Sequence, residues 1–139
     1  MHVELSDEAR RYIGRFDDLT GVTPRDCLVE GDRLVFLVPA GEMATAIGQA
    51  GETVEEVERR LDKSIELVED ADTPETFVAS ALAPAAVNAV TISEQNDRVA
   101  YVEVPEPDRG VAIGANGRNI ETARTLAKRH YDIDDVQLT

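Results

Sequence analysis

Two copies of one short motif constrain this chain more than anything else in it: Ile47-Gly48-Gln49-Ala50-Gly51 and Ile113-Gly114-Ala115-Asn116-Gly117, 66 residues apart. Landmarks around them recur at nearly the same interval. Pro39 corresponds to Pro105, Asp32-Arg33 to Asp97-Arg98, and a helix-capping Ser6 to Thr73. A repeat of that size marks an internal duplication, so two units are expected, at residues 1–70 and 71–139. Units this small bury only a modest core. The join Glu69-Asp70-Ala71-Asp72 lacks glycine and serine, so the units are expected to pack together rather than swing freely.

Each unit reads as the same series of elements. In the first, Ser6 caps a helix whose apolar positions Leu5, Ala9, Tyr12, Ile13, Phe16 and Leu19 share one face, stopping near Gly21. Cys27-Leu28-Val29 and Leu34 to Val38 flank Glu30-Gly31-Asp32 and read as a hairpin ended by Pro39. A short helix over Glu42 to Ile47, the glycine loop, a helix carrying Val54, Val57 and Leu61, and a strand with Ile65, Leu67 and Val68 complete it. In the second, Thr73 caps with Pro74 at the first helical position, and the helix carries Phe77, Val78, Ala81 and Leu82 before Pro84. Strands follow at Val87 to Ile92 and Val99 to Val104. A short helix spans Asp108 to Ile113, a longer one carries Ile120, Ala123, Leu126 and Ala127, and Ile133 to Leu138 closes the unit as a strand.

A glycine loop between two helices has two physical uses. Glycine permits positive φ and so makes a tight corner. It also removes side-chain bulk, letting a sugar-phosphate backbone approach the unpaired N–H groups and positive dipole end of the next helix. Recurrence of both glycines and the preceding isoleucine on the same elements favours the second use.

Here the chain resembles proteins with two KH domains, whose signature is isoleucine followed by G-x-x-G between two helices. The order of elements is similar to the type II arrangement. The resemblance implies an α+β fold with tandem type II KH domains, each α-β-β-α-α-β with a three-stranded sheet covered by helices. The stripped-down pair resembles the archaeal NusA-like family of transcription elongation and termination factors. That resemblance implies single-stranded RNA and RNA polymerase as partners, a cytoplasmic location and no cofactor. It puts phosphate contacts at Gly48, Gln49, Ala50, Gly51 and at Gly114, Ala115, Asn116, Gly117. Bases would lie in an apolar groove formed by Ala112, Ile113, Ile120 and Val136 in the second unit, and by Ala46, Ile47, Val54 and Leu67 in the first. A ribosome-associated KH protein and a KH-fold protein-interaction module are the alternatives.

Charge separates the two copies. Residues 105–131 hold five cations (Arg109, Arg118, Arg124, Lys128, Arg129) against three anions (Glu106, Asp108, Glu121), whereas residues 41–63 hold three (Arg59, Arg60, Lys63) against six (Glu42, Glu52, Glu55, Glu56, Glu58, Asp62). The second unit is therefore expected to be the main RNA site, with Arg109, Arg118 and Arg124 assisting the loop. Neither variable pair, Gln49-Ala50 or Ala115-Asn116, includes the lysine or arginine common in KH loops.

The whole chain is strongly acidic, at net charge −14, with the anions scattered and no acidic tail. That distribution matches adaptation to high salt better than a chain built only to avoid polyanions. Cys27 stands alone, which excludes an internal disulfide; its apolar surroundings read as core filling in a reducing compartment. No apolar run approaches the ~18 residues of a membrane span, and Met1-His2-Val3-Glu4 does not resemble a leader. His2 and His130 lack ligand-spaced partners, and no nucleophile-base set or nucleotide fingerprint is present. A metal site and an enzymatic role are not expected.

Overall fold

Ser6 starts the first helix because its hydroxyl accepts the Ala9 N–H at 3.0 Å, satisfying one of the donors a helix start leaves unpaired. Asp7 and Glu8 add favourable charge at that end. The helix, α1 (Asp7–Thr20), stops where Gly21 turns left-handed at φ 78°. The structure, a computed structural model, describes residues 3–139 and divides into two units, Glu4–Asp70 and Ala71–Thr139. His2 and the start of the N-terminal segment read above lie outside the described residues.

In the first unit β1 (Asp26–Glu30) and β2 (Arg33–Val38) pair antiparallel, and β3 (Ser64–Glu69) joins β2 in parallel. A parallel neighbour requires a crossover, which α2 (Met43–Ile47) and α3 (Glu52–Leu61) supply. The glycine loop is thus the corner of an obligatory connection. Phe16 packs on Phe36 with centroids 4.4 Å apart, among Leu34, Val38, Ala46 and Val57. Burying one such aromatic stabilises the unit by about 1.5–3 kcal/mol. Cys27 is part of this core, and its thiol is pushed up to about 12 by burial, with Asp26 and Glu8 adding to the shift.

The second unit repeats the order: α4 (Pro74–Ala81), β4 (Ala89–Ser93), β5 (Val99–Glu103), α5 (Arg109–Ile113), α6 (Arg118–Tyr131) and β6 (Asp135–Leu138). β4 and β5 are antiparallel, β5 and β6 parallel. Thr73 caps α4 through Thr76 N–H at 3.2 Å. Phe77 stacks on Tyr131 at 4.8 Å, tying α4 to the end of α6. The fold is α+β with a three-stranded sheet in each unit, as expected.

Several boundaries shift by a residue from the sequence expectation, and the starts of β4 and β6 shift by two. β4 begins at Ala89 rather than Val87, because Asn88 N–H already binds Glu103 C=O outside the ladder. Ile133 precedes β6, fully buried, its N–H closing on Ala127 C=O as the chain leaves α6. Among the described residues no helix is long and apolar enough to cross a membrane, and no cluster of histidine, cysteine and carboxylate side chains is placed to hold a metal ion.

Candidate nucleic-acid interface

The two glycine loops have one backbone. Gly48 and Gly114 both adopt φ 78° with ψ 170° and 171°, and Gly51 and Gly117 both sit in the left-handed region at φ 76° and 74°. Between them Ala50 (φ 56°) and Asn116 (φ 57°) are left-handed as well. The Gly51 and Gly117 N–H groups fold back onto the Gly48 and Gly114 carbonyls at 3.1 Å, so exposed Gln49-Ala50 and Ala115-Asn116 form the tips.

This geometry explains the glycines without a ligand. A Cβ on Gly114 would lie 2.8 Å from Asn119 Cβ and from its backbone N, and one on Gly48 would lie 2.1 Å from Thr53 Oγ1 and 2.8 Å from Thr53 N. The first glycine of each loop lets the following helix pack close. The second meets no clash, Gly51 having only Glu55 Oε1 at an ordinary contact distance of 3.9 Å and Gly117 nothing within 4 Å; it is required by its positive φ alone. Retention of the glycines is therefore a property of the corner, and the side chains around it must carry any case for binding.

Those side chains differ between the copies. Beside the second loop, Val111 and Ile113 are 45% and 40% exposed, conspicuous among large apolar side chains. Arg118, the first residue of α6, is exposed, and among the described residues it has no partner. Arg109 is half-buried and donates to the Thr139 carbonyl at 2.9 Å. Beside the first loop the corresponding helix starts with Glu52 and has Glu55 in its first turn. Glu52, Thr53, Glu55, Glu56 and Arg59 line a hollow with Leu19 of α1. An approaching phosphate meets carboxylates there.

Several of the expected groove residues are buried. Ala112 and Val136 are fully buried and Ile120 is 6% exposed, as is fitting for α5, α6 and β6 side chains that face inward. Ala46 is fully buried too, while Ile47, Val54 and Leu67 are half-buried. The expected groove floor in the second unit thus shrinks to Ile113, with Val111 beside it.

The local charge balance also changes once the chain folds. Lys128 Nζ binds Asp134 at 2.7 Å and lies 3.8 Å from Asp132. The Asp134 hydrogen bond raises the lysine's pKa, and the same bond holds the Asp134 carboxyl low. Arg124 is held by Glu121 and, at 3.1 Å, by Asp135. A segment ending at residue 131 leaves out these three aspartates, which the turn into β6 returns to α6. Arg124 is consequently a side chain tethered by two carboxylates.

Arg124 has a second task that neither charge nor periodicity reveals. Its Nε donates to the Val136 carbonyl of β6 at 3.1 Å. In the first unit Glu58, 66 residues earlier, accepts the Ile65 N–H of β3 at 3.2 Å. One helix position clips the adjacent strand in both units, with opposite charge in each. Both bonds engage backbone groups that an open sheet edge would leave unpaired.

Comparison with known proteins agrees with this architecture. The profile of the NusA-like second KH domain matches residues 74–138. The chain is 60% identical to the probable transcription termination protein NusA of Halococcus morrhuae, over 99% of both chains. It is 57% identical to the protein of the same name in Halobacterium salinarum, over 100% of both. Both organisms are halophilic archaea, in keeping with the scattered acidity. A crystal structure of APE1850 superposes with a TM-score of 0.84 at 32% identity, covering 97% of this chain and 100% of that one.

Proposed function

The chain belongs to the NusA family and carries a NusA-like KH domain in its second unit; from that premise we propose that it grips single-stranded nascent RNA at the second glycine loop and thereby biases elongation or termination by RNA polymerase. One observation carries this reading. Among the described residues, only at the second loop is an uncharged exposed tip, Ala115-Asn116, followed after one glycine by an exposed, unpartnered arginine, Arg118. Backbone N–H groups and the positive end of α6 add to its attraction for phosphate, and exposed Ile113 and Val111 offer apolar surface to bases.

The acidic setting of the first loop, with Glu52 and Glu55 in the first turn of α3, disfavours phosphate at that loop. Titration with one unstructured RNA in molar KCl tests the RNA reading. Ala115→Asp with Asn116→Asp should weaken binding about tenfold or more through repulsion at the phosphates, with the melting temperature unchanged. Unaltered affinity in that variant would contradict it. RNA crosslinked in cells distinguishes the roles: transcripts and leader sequences support transcription, and ribosomal RNA alone supports the ribosome-associated alternative.

A further inference from the structure

The fold gathers an arginine stripe that the sequence scatters. Arg15 of α1 donates through Nη2 to the Arg60 carbonyl at 3.3 Å, placing it against the last turn of α3. Arg11 lies one turn back along α1 on the same stripe, four residues earlier, where side chains are neighbours. Arg59 and Arg60 complete the group, their side chains 73% and 63% exposed. Arg11 and Arg15 are also exposed, and among the described residues Arg11 has no partner. One carboxylate lies within the group: Glu56 pairs with Arg59 and Arg60, and the Arg60 hydrogen bond is the main cause of its lowered pKa. Four arginines gather here in a chain of net charge −14, with Glu56 inside the group and Asp7, Glu8, Asp18, Glu55 and Asp62 around it.

Helix energetics explain part of this. Positive groups at the end of α3 complement its dipole, which accounts for Arg59, Arg60 and the Arg15 bond to a terminal carbonyl. Arg11 touches no part of α3 in any described bond, so its exposed charge has no such account.

We propose that this stripe on α1 and the end of α3 is a second RNA-backbone site, taking a line of phosphates from a stretch of transcript other than that held at the glycine loop. The shape of the charge selects the occupant. Glu8 and Asp18 lie a turn to either side on α1, and Asp62 follows α3. A broad acidic protein surface would set its own carboxylates against these flanks. A single strand presents one narrow row of anions, which arginine forks can grip in bidentate fashion. Along α3, Glu52, Glu55 and Glu56 come between the first loop and Arg59-Arg60, so carboxylates set the stripe apart from that loop. The proposed site rests on the RNA reading above while using none of the same residues.

The test uses the whole chain and two unstructured RNAs, of about 8 and about 20 nucleotides, titrated over a range of KCl. Arg11→Gln with Arg15→Gln keeps two good helix formers on an exposed face, and a thermal melt checks that folding is intact. Binding of the short RNA should be unchanged. The long RNA should bind about tenfold more weakly, and the slope of log affinity against log salt should fall by about 1.4, since each single-strand phosphate that goes unneutralised removes roughly 0.7. Arg59→Gln provides a second variant on the other helix, with a slope change of about half that size.

An unchanged long-RNA affinity and slope, alongside weakening by the Ala115→Asp, Asn116→Asp variant, would overturn the stripe and leave the loop reading intact. Long-RNA binding that survives the loop variant but disappears with the arginines would support the stripe and overturn the loop reading. If the arginine variant binds both RNAs normally but no longer retains RNA polymerase, the occupant is a protein and the proposal fails. A wild-type chain that binds neither RNA contradicts both.

Discussion

The two glycine loops share their backbone to within a few degrees, yet they offer opposite surfaces. Residues at the third loop position, Ala50 and Asn116, have φ 56° and 57°, but the next helix begins with Glu52 in one and Arg118 in the other. The corner is needed in both units because a parallel strand must be reached by a crossover. Its recurrence in both copies therefore reports on folding. The residues that the corner displays have diverged.

If the loop backbone is structural in both units, removing the first glycine should damage both. Gly114→Ala places a Cβ 2.8 Å from the Asn119 backbone N, and Gly48→Ala places one 2.8 Å from Thr53 N, each at φ 78°. A cost of about 3 kcal/mol is expected in each case, combining left-handed strain with displaced helix packing. Gly117→Ala meets nothing within 4 Å and should cost only about 1 kcal/mol. Thermal or denaturant unfolding of the three variants checks the order, and equal effects at Gly114 and Gly117 would remove the close-packing explanation.

The second contrast lies in the cores. Cys27 pairs across the hairpin with Phe36, and its counterpart in the second unit, Val90, pairs with Val102. Only the first core thus contains a titrating thiol at that position. Its folded pKa is about 12 against an ordinary 9.0, so between these values the unfolded chain binds fewer protons than the folded one. Stability is fully present below pH 9 and should fall as the pH rises toward 12, by up to about 1.4 kcal/mol per unit. Cys27→Ala should remove that part of the alkaline slope while lowering stability at neutral pH through poorer packing. The same slope in the variant would refute the assignment.

A smaller effect concerns the left-handed third position. Asparagine tolerates that conformation better than alanine. Ala50→Asn should therefore stabilise the first unit by about 0.5–1 kcal/mol, and Asn116→Ala should destabilise the second by a similar amount. Hydrogen exchange resolved by unit would reveal which half responds.

The regular elements are legible because local chemistry announces them. Ser6 and Thr73 cap as their side chains require, with bonds of 3.0 and 3.2 Å, and Gly21 ends α1 in the left-handed region. The loops can be located from the glycines, but the positive φ of Ala50 and Asn116 cannot, since neither residue demands it. Ala112, Ile120 and Val136 pass for groove because an apolar residue at helical or strand spacing looks alike on either side of an element. Charge summed along the second unit overstates its attraction for phosphate, because Asp132, Asp134 and Asp135 lie just beyond residue 131 and return through a turn. Arg15 and Arg60 are 45 positions apart, beyond any local pattern. The strand clips at Glu58 and Arg124 are bonds to backbone, which leave no mark in side-chain chemistry.

The central claim is that displayed charge, on one shared backbone, decides which loop holds RNA. Exchange of the two helix-start residues tests it most directly, since Glu52 and Arg118 occupy equivalent first positions of α3 and α6. Affinity for one unstructured RNA should be measured at fixed KCl for Arg118→Glu, for Glu52→Arg and for the double exchange. Arg118→Glu should weaken binding about tenfold or more, Glu52→Arg should strengthen it, and the double exchange should regain part of what the first change removed. Three variants that bind like the wild-type chain, all folded by thermal melt, would contradict it.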